Sequence, residues 1–108
     1  MKERLIFAIL AILLIFVSGC KKSEIAEEDA LIQECINACK NALENGVDLS
    51  TGPCLLDPMS NPEWVCDVAH KPRQAIDNKR ENQCNAWHNG SAKHFIEVTP
   101  NCELIRVY

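Results

Sequence analysis

The chain has 108 residues, 47% of them hydrophobic, with seven cysteines and a formal net charge of −4. That length holds one small domain and excludes Rossmann, TIM-barrel and multidomain enzymes. Lys2, Glu3 and Arg4 together carry +1, so the remainder carries −5, which excludes a basic nucleic-acid binder.

The first element is an apolar run, Leu5 to Val17, behind the positive Lys2 and Arg4. It has the length of a secretory h-region and is short for a bilayer span. Val17-Ser18-Gly19-Cys20 closes it: an aliphatic residue, two small residues and a cysteine. This stretch resembles the lipobox of prokaryotic lipoprotein signal peptides. The resemblance implies cleavage before Cys20 and diacylglycerol on its thiol. Residues 1–19 are then a signal peptide, residues 20–28 a lipidated tether, and residues 29–108 a domain outside the cytoplasm. Two acyl chains anchor durably where one does not. An uncleaved anchor with a chance cysteine is the alternative. The implied location is the cell membrane, facing the periplasm or exterior. Lys21 and Lys22 are placed to meet anionic headgroups or simply to be solvated.

Residues from about 24 to 45 read as an amphipathic helix. Leu31, Ile32, Cys35, Ile36, Cys39, Ala42 and Leu43 recur at three- and four-residue spacing, and Asn45-Gly46 supplies a stop. Residues 46–62, with Gly46, Gly52, Pro53, Pro58 and Pro62, read as a turn-rich connection. Trp64 to Ala69 reads as a strand with Trp64, Cys66 and Val68 on one face. Residues 71–91 are poor in apolar groups, form a long polar loop with room for a short helix around Asn82 to Trp87, and are tied down by Cys84. Two strands, about 93–99 and 102–108, flank Pro100-Asn101. Pairing Thr99 with Cys102 sets Ile96 opposite Ile105 and groups His94, Ile96, Val98 and Val107. A wider loop, forced by Pro100, would shift that register. The expected fold is therefore α+β: one N-terminal amphipathic helix on a small antiparallel sheet, disulfide-rich, with a long polar loop.

Six cysteines remain beyond Cys20: Cys35, Cys39, Cys54, Cys66, Cys84 and Cys102. Export makes three disulfides the expectation, and so small a core benefits from them. Cys35 and Cys39, four apart on one helix, point side by side and cannot bridge well, so each should reach a different segment. That removes a few of fifteen connectivities. The reading favours Cys39 with Cys54 and leaves the others open.

A long polar loop held by a disulfide is a common place for binding. Arg73, Gln74, Asp77, Asn78, Trp87 and His88 are its candidate contact residues, for an envelope or surface protein or a small ligand. Both Trp64 and Trp87 also suit core packing, Trp87 being the better exposed anchor. The competing reading is metal. Cys66-x3-His70 and Cys84-x3-His88 make a Cys2His2 set suited to zinc or another transition metal, and His70, His88 and His94 with Asp67 or Glu97 make a second. Asn89-Gly90-Ser91 matches a glycosylation sequon. The sequence has no H-E-x-x-H, G-x-S-x-G, P-loop or C-x-x-C, so an enzyme is the least favoured class. Without a metal, no cofactor is implied.

Overall fold

Apolar periodicity of 3.6 in one segment and four short, largely apolar strands build a helix on a sheet. The computed structural model describes residues 24–108, so the signal peptide and the lipidation at Cys20 lie outside the described residues. Helix α1 covers 24–44. Its residues 24–30 belong to a different compact unit from residues 31–108, and their side chains are exposed. From Leu31 onward the periodic face is buried: Leu31, Cys35 and Cys39 are at most 4% exposed. Gly46 ends the helix at φ +76°, the left-handed conformation a C-cap needs. Its N–H donates to the Leu43 carbonyl and that of Val47 to the Ala42 carbonyl.

The sheet contains β1 (Cys54–Leu56), β2 (Trp64–Val68), β3 (His94–Val98) and β4 (Leu104–Val107), in spatial order β1-β2-β3-β4. It is a mixed sheet, which corrects the antiparallel expectation: β1–β2 and β3–β4 are antiparallel, but β2–β3 is parallel. Parallel neighbours require a long crossover, and the polar segment between β2 and β3 is that crossover. The expected turn-rich connection does contain turns, with a 3-10 turn at Leu49–Thr51, but it also supplies β1.

One core lies between α1 and the sheet. Leu31, Cys35 and Cys39 meet Leu49, Met59, Cys66, Val68, Ile96, Val98 and Cys102, with Trp64 and Val107 packed alongside. This is the shared face expected for Trp64, Cys66 and Val68. The three disulfides are Cys35–Cys66, Cys39–Cys102 and Cys54–Cys84. Cys35 and Cys39 do reach different segments, β2 and the turn before β4. The Cys39–Cys54 pairing is wrong, because β1 lies at the sheet edge beyond β2, where the crossover's Cys84 meets it.

The β3–β4 turn corrects the expected register. Cys102 adopts φ +65°, its N–H donates to the Thr99 carbonyl, and the Thr99 N–H donates to the Glu103 carbonyl. Three residues, Pro100 to Cys102, therefore close the turn, a pattern in which a left-handed residue follows a type I turn. A further irregularity between Glu97 and Val98 brings Ile96 opposite Val107 and Glu97 opposite Arg106.

Candidate functional site

Strand alternation sends Cys66, Val68, Ile96 and Val98 toward α1, so Val65, Asp67, Phe95 and Glu97 face the other way. That second face is not left to solvent. Val65 packs with Cys84, Ala86 and Ala92 of the crossover, and with Cys54, Trp87 and Phe95. The crossover is built from 3-10 turns at Ala75–Asn78 and Arg80–Asn82 and from the short helix α2 (Asn85–His88). Two devices hold it down. The Cys54–Cys84 bond ties it to β1. The Asp57 carboxylate accepts from the N–H groups of Asn85 and Ala86 at 2.8 and 3.1 Å, satisfying the first turn of α2.

At the other end Asp77, 2% exposed, organises the chain. Its carboxylate accepts from the His70 N–H at 3.0 Å and the Gln74 N–H at 2.9 Å, and lies 2.9 Å from His70 Nδ1. Burial pushes its pKa up, but these backbone and ring contacts outweigh it and hold the carboxyl below the ordinary range. Gly52 at φ +69° passes so close that a Cβ there would strike the Asp77 carboxylate.

Between crossover and sheet lies an open cavity of about 90 Å³, lined by Val65, Asp67, Arg73, Gln83, Cys84, Trp87, Phe95, Glu97 and Arg106. Asp67 and Glu97 are register partners on the parallel pair, so their carboxyls lie side by side. Glu97, 4% exposed, forms ion pairs with Arg73 Nη1 at 2.9 Å and with Arg106 Nε. Arg73 is itself oriented by Asn78 Oδ1, 2.8 Å from its Nε, and by the Asp77 carbonyl. Among the described residues Asp67 forms no ion pair. Its Oδ1 is buried without a hydrogen-bond partner, an arrangement few native polar atoms show. Burial, then the neighbouring Glu97 carboxylate, pushes the Asp67 pKa up to about 8. One wall is aromatic: Trp87 meets Phe95 edge-on at 4.8 Å, Phe95 stacks on Tyr108 at 5.2 Å, and the Arg106 guanidinium sits 5.0 Å above Phe95.

Among the expected contact residues, Arg73 and Trp87 line this cavity. Gln74, Asp77 and Asn78 stand behind it and shape the loop. His88 is exposed, with its Nε2 against Gln83 Oε1. The strand residues Asp67, Glu97 and Arg106 were not among them. A signal for two existed: Trp64-Val-Cys-Asp-Val68 and His94-Phe-Ile-Glu-Val98 share one pattern, with the acid fourth in each.

The metal sets do not assemble. Cys66 and Cys84 are disulfide-bonded, so neither offers the thiolate that the Cys66/His70/Cys84/His88 set requires. Among the described residues the one convergent group of three metal-ligating side chains is Cys54, Asp57 and Cys84. It consists of a disulfide and the carboxylate that caps α2. His70, His88 and His94 are not brought together. His70 pairs with Asp77, and His94 stacks on Trp64 at 4.6 Å with Nδ1 near the Tyr108 carbonyl. Trp64 thereby fills the packing role open to it. Asn89 of the sequon accepts from the N–H and Oγ of Ser91. Among the described residues no helix is long and apolar enough to cross a membrane.

Compared with protein-family models, with curated proteins and with solved structures, the chain matches none.

Proposed function

We propose that this chain is a lipid-anchored envelope protein whose disulfide-rich domain is a binding module, with the cavity over Asp67 as its contact site. The observation that carries the binding half is the buried, partnerless oxygen of Asp67, a residue that lines an open cavity. Leaving a buried polar atom unsatisfied costs roughly 1–3 kcal/mol, a cost that a ligand group can offset. The rigid frame supports the same reading, since a site held by a disulfide, a capped helix and two ion pairs is pre-organised. The anchoring half is supported by Val17 to Cys20 and by three disulfides, which belong to an oxidising compartment.

Two measurements test the halves separately. The mass of the purified processed chain is expected to show cleavage before Cys20 and added acyl groups, and an intact leader or a free Cys20 thiol sinks the anchor. In a small-fragment screen by NMR on the chain in neutral detergent, shifts are expected at Val65, Asp67, Arg73, Trp87 and Glu97. Hits confined to other surfaces, or no hits at all, sink the binding module.

A further inference from the structure

We propose that the cavity is a receptor for a compact carboxylate, clamped between the free edge of the Arg106 guanidinium and the carboxyl group of Asp67. This rests on the binding-module reading and gives it a ligand class. The charge arrangement is the first argument. Two guanidiniums converge on the single Glu97 carboxylate, which leaves one positive charge over at the cavity when Asp67 is neutral. An ammonium ligand would have to settle between Arg73 and Arg106, whereas an anion is attracted to both.

The unused hydrogen-bonding capacity is the second argument. Arg73 spends Nε on Asn78, Nη1 on Glu97 and Nη2 on the Asp77 carbonyl. Among the described residues Arg106 hydrogen-bonds through Nε alone, to Glu97, with its guanidinium over the Phe95 ring, and its side chain is 58% exposed. Its Nη1 and Nη2 hydrogens are free to meet a carboxylate. Asp67 supplies the complement. Held neutral by its burial beside Glu97, it carries an O–H donor for the second ligand oxygen. Val65, Trp87 and Phe95 leave an apolar wall for the small group attached to that carboxylate.

The pH behaviour follows from all the groups around Asp67. Glu97 on β3 and Asp77 in the crossover favour the neutral form, and Arg73 favours the ionised one. Arg106 lines the same cavity from β4, and β1 contributes no titratable side chain, Cys54 being disulfide-bonded. Ionised Asp67 repels the ligand, so affinity falls as pH rises through the Asp67 pKa of about 8.

The test uses the processed chain in neutral detergent, titrated by NMR with propionate, propionamide and propylammonium, and with N-acetylalanylalanine to present the carboxylate as a peptide C-terminus. Propionate or the peptide is expected to move Asp67, Arg106 and Trp87 resonances, the tighter of the two naming the source. Propylammonium is not. Arg106→Gln is expected to weaken carboxylate binding at least tenfold. Between about pH 6.5 and about pH 9.5 the wild type is expected to lose at least tenfold in affinity, since each pH unit above the pKa removes tenfold of the neutral form. Asp67→Asn, whose amide keeps a donor, is expected to bind within about threefold of the wild type at the lower pH and to lose the dependence. Site shifts with propylammonium or propionamide but not with either carboxylate overturn the ligand class and leave the binding module standing. An affinity that rises with pH also overturns it. No response at the site to any probe overturns both.

Discussion

Asp67 and Asp77 are two acids within one small domain whose surroundings drive them in opposite directions. Asp77 collects two backbone N–H groups and a histidine ring, while Asp67 has one backbone contact at Val68, an Oδ1 with no partner, and Glu97 opposite. Their linkage to folding therefore has opposite signs. The folded chain releases the Asp77 proton more readily than the unfolded chain, so this stability is present above about pH 3.8 and is lost as pH falls through the lowered folded value. Asp77→Ala is expected to cost roughly 2–4 kcal/mol at neutral pH, because it orphans the donors of His70 and Gln74. Urea denaturation checks it, and a loss under about 0.5 kcal/mol, the range of an ordinary surface substitution, contradicts it. For Asp67 the folded chain keeps its proton between about pH 3.8 and 8 where the unfolded chain does not, so stability declines across that interval as pH rises. Asp67→Asn is expected to be the more stable protein at about pH 9, by a margin on the order of a few kcal/mol that closes toward pH 4. Equal stability of the two at both ends of that range would remove the burial penalty assigned to Asp67. Sequence composition pointed to Asp77 and Arg73 because polar residues crowd a Cys84-pinned segment. Asp67 and Glu97 sit in apolar strands, and their importance depends on knowing that the strands are covered on both faces.

At the scale of elements, the crossover decides what the sheet can do. A hairpin would have left the Asp67 face to solvent; a parallel connection carries polar chain back across it. The periodicity of α1, the alternation in β2 and β3 and the length of the 71–91 segment were all legible in the sequence. The parallel pairing was not, since alternation fixes which residues share a face but not which way a neighbouring strand runs. The β3–β4 register slipped for a local reason, since Cys102 takes the left-handed conformation that sequence statistics reserve mainly for glycine and asparagine. Near α2 the crossover is anchored by the Cys54–Cys84 bond, the Asp57 cap, the Trp87 ring contacts and the packing of Ala86 and Ala92 on Val65, and farther along by the Arg73–Glu97 ion pair and Asp77. Replacing Cys54 and Cys84 together by Ala is expected to lower stability by about 3–4 kcal/mol in the chain-entropy picture. Hydrogen exchange should locate the loss, with amides of 80–92 losing protection while β3 opposite α1 keeps its own. Uniform loss across the sheet would mean that the crossover is part of one indivisible core.

For the whole molecule the question is what replaces a large apolar interior. The core beneath α1 has ten buried residues, and four of them, Cys35, Cys39, Cys66 and Cys102, are half-cystines. Staples and core are thus the same atoms, and cutting a bond both frees the chain and disrupts packing. Each closure contributes roughly 3.5–4.5 kcal/mol in the entropic model, comparable with the whole net stability of a domain this size. The even number of these cysteines and the expectation of export led to three disulfides from the sequence, and all six are bonded. Their partners did not follow in the same way, because pairing depends on the parallel topology. The three bonds differ in accessibility chiefly at one sulfur: Cys35, Cys39 and Cys66 are fully buried, Cys84 and Cys102 are 2% and 6% exposed, and Cys54 is only partly buried at the sheet edge. Under graded reductant, Cys54–Cys84 is expected to open first, adding two alkylatable thiols while far-ultraviolet circular dichroism still reports helix and sheet. Opening either bond to α1 should then remove the helix from the sheet, so four further thiols appear together with loss of structure. Timed alkylation with mass spectrometry resolves the sequence of events. If all six thiols emerge in a single step, the crossover is no weaker than the core, and the picture of a firm helix–sheet frame with a separately pinned polar face is wrong.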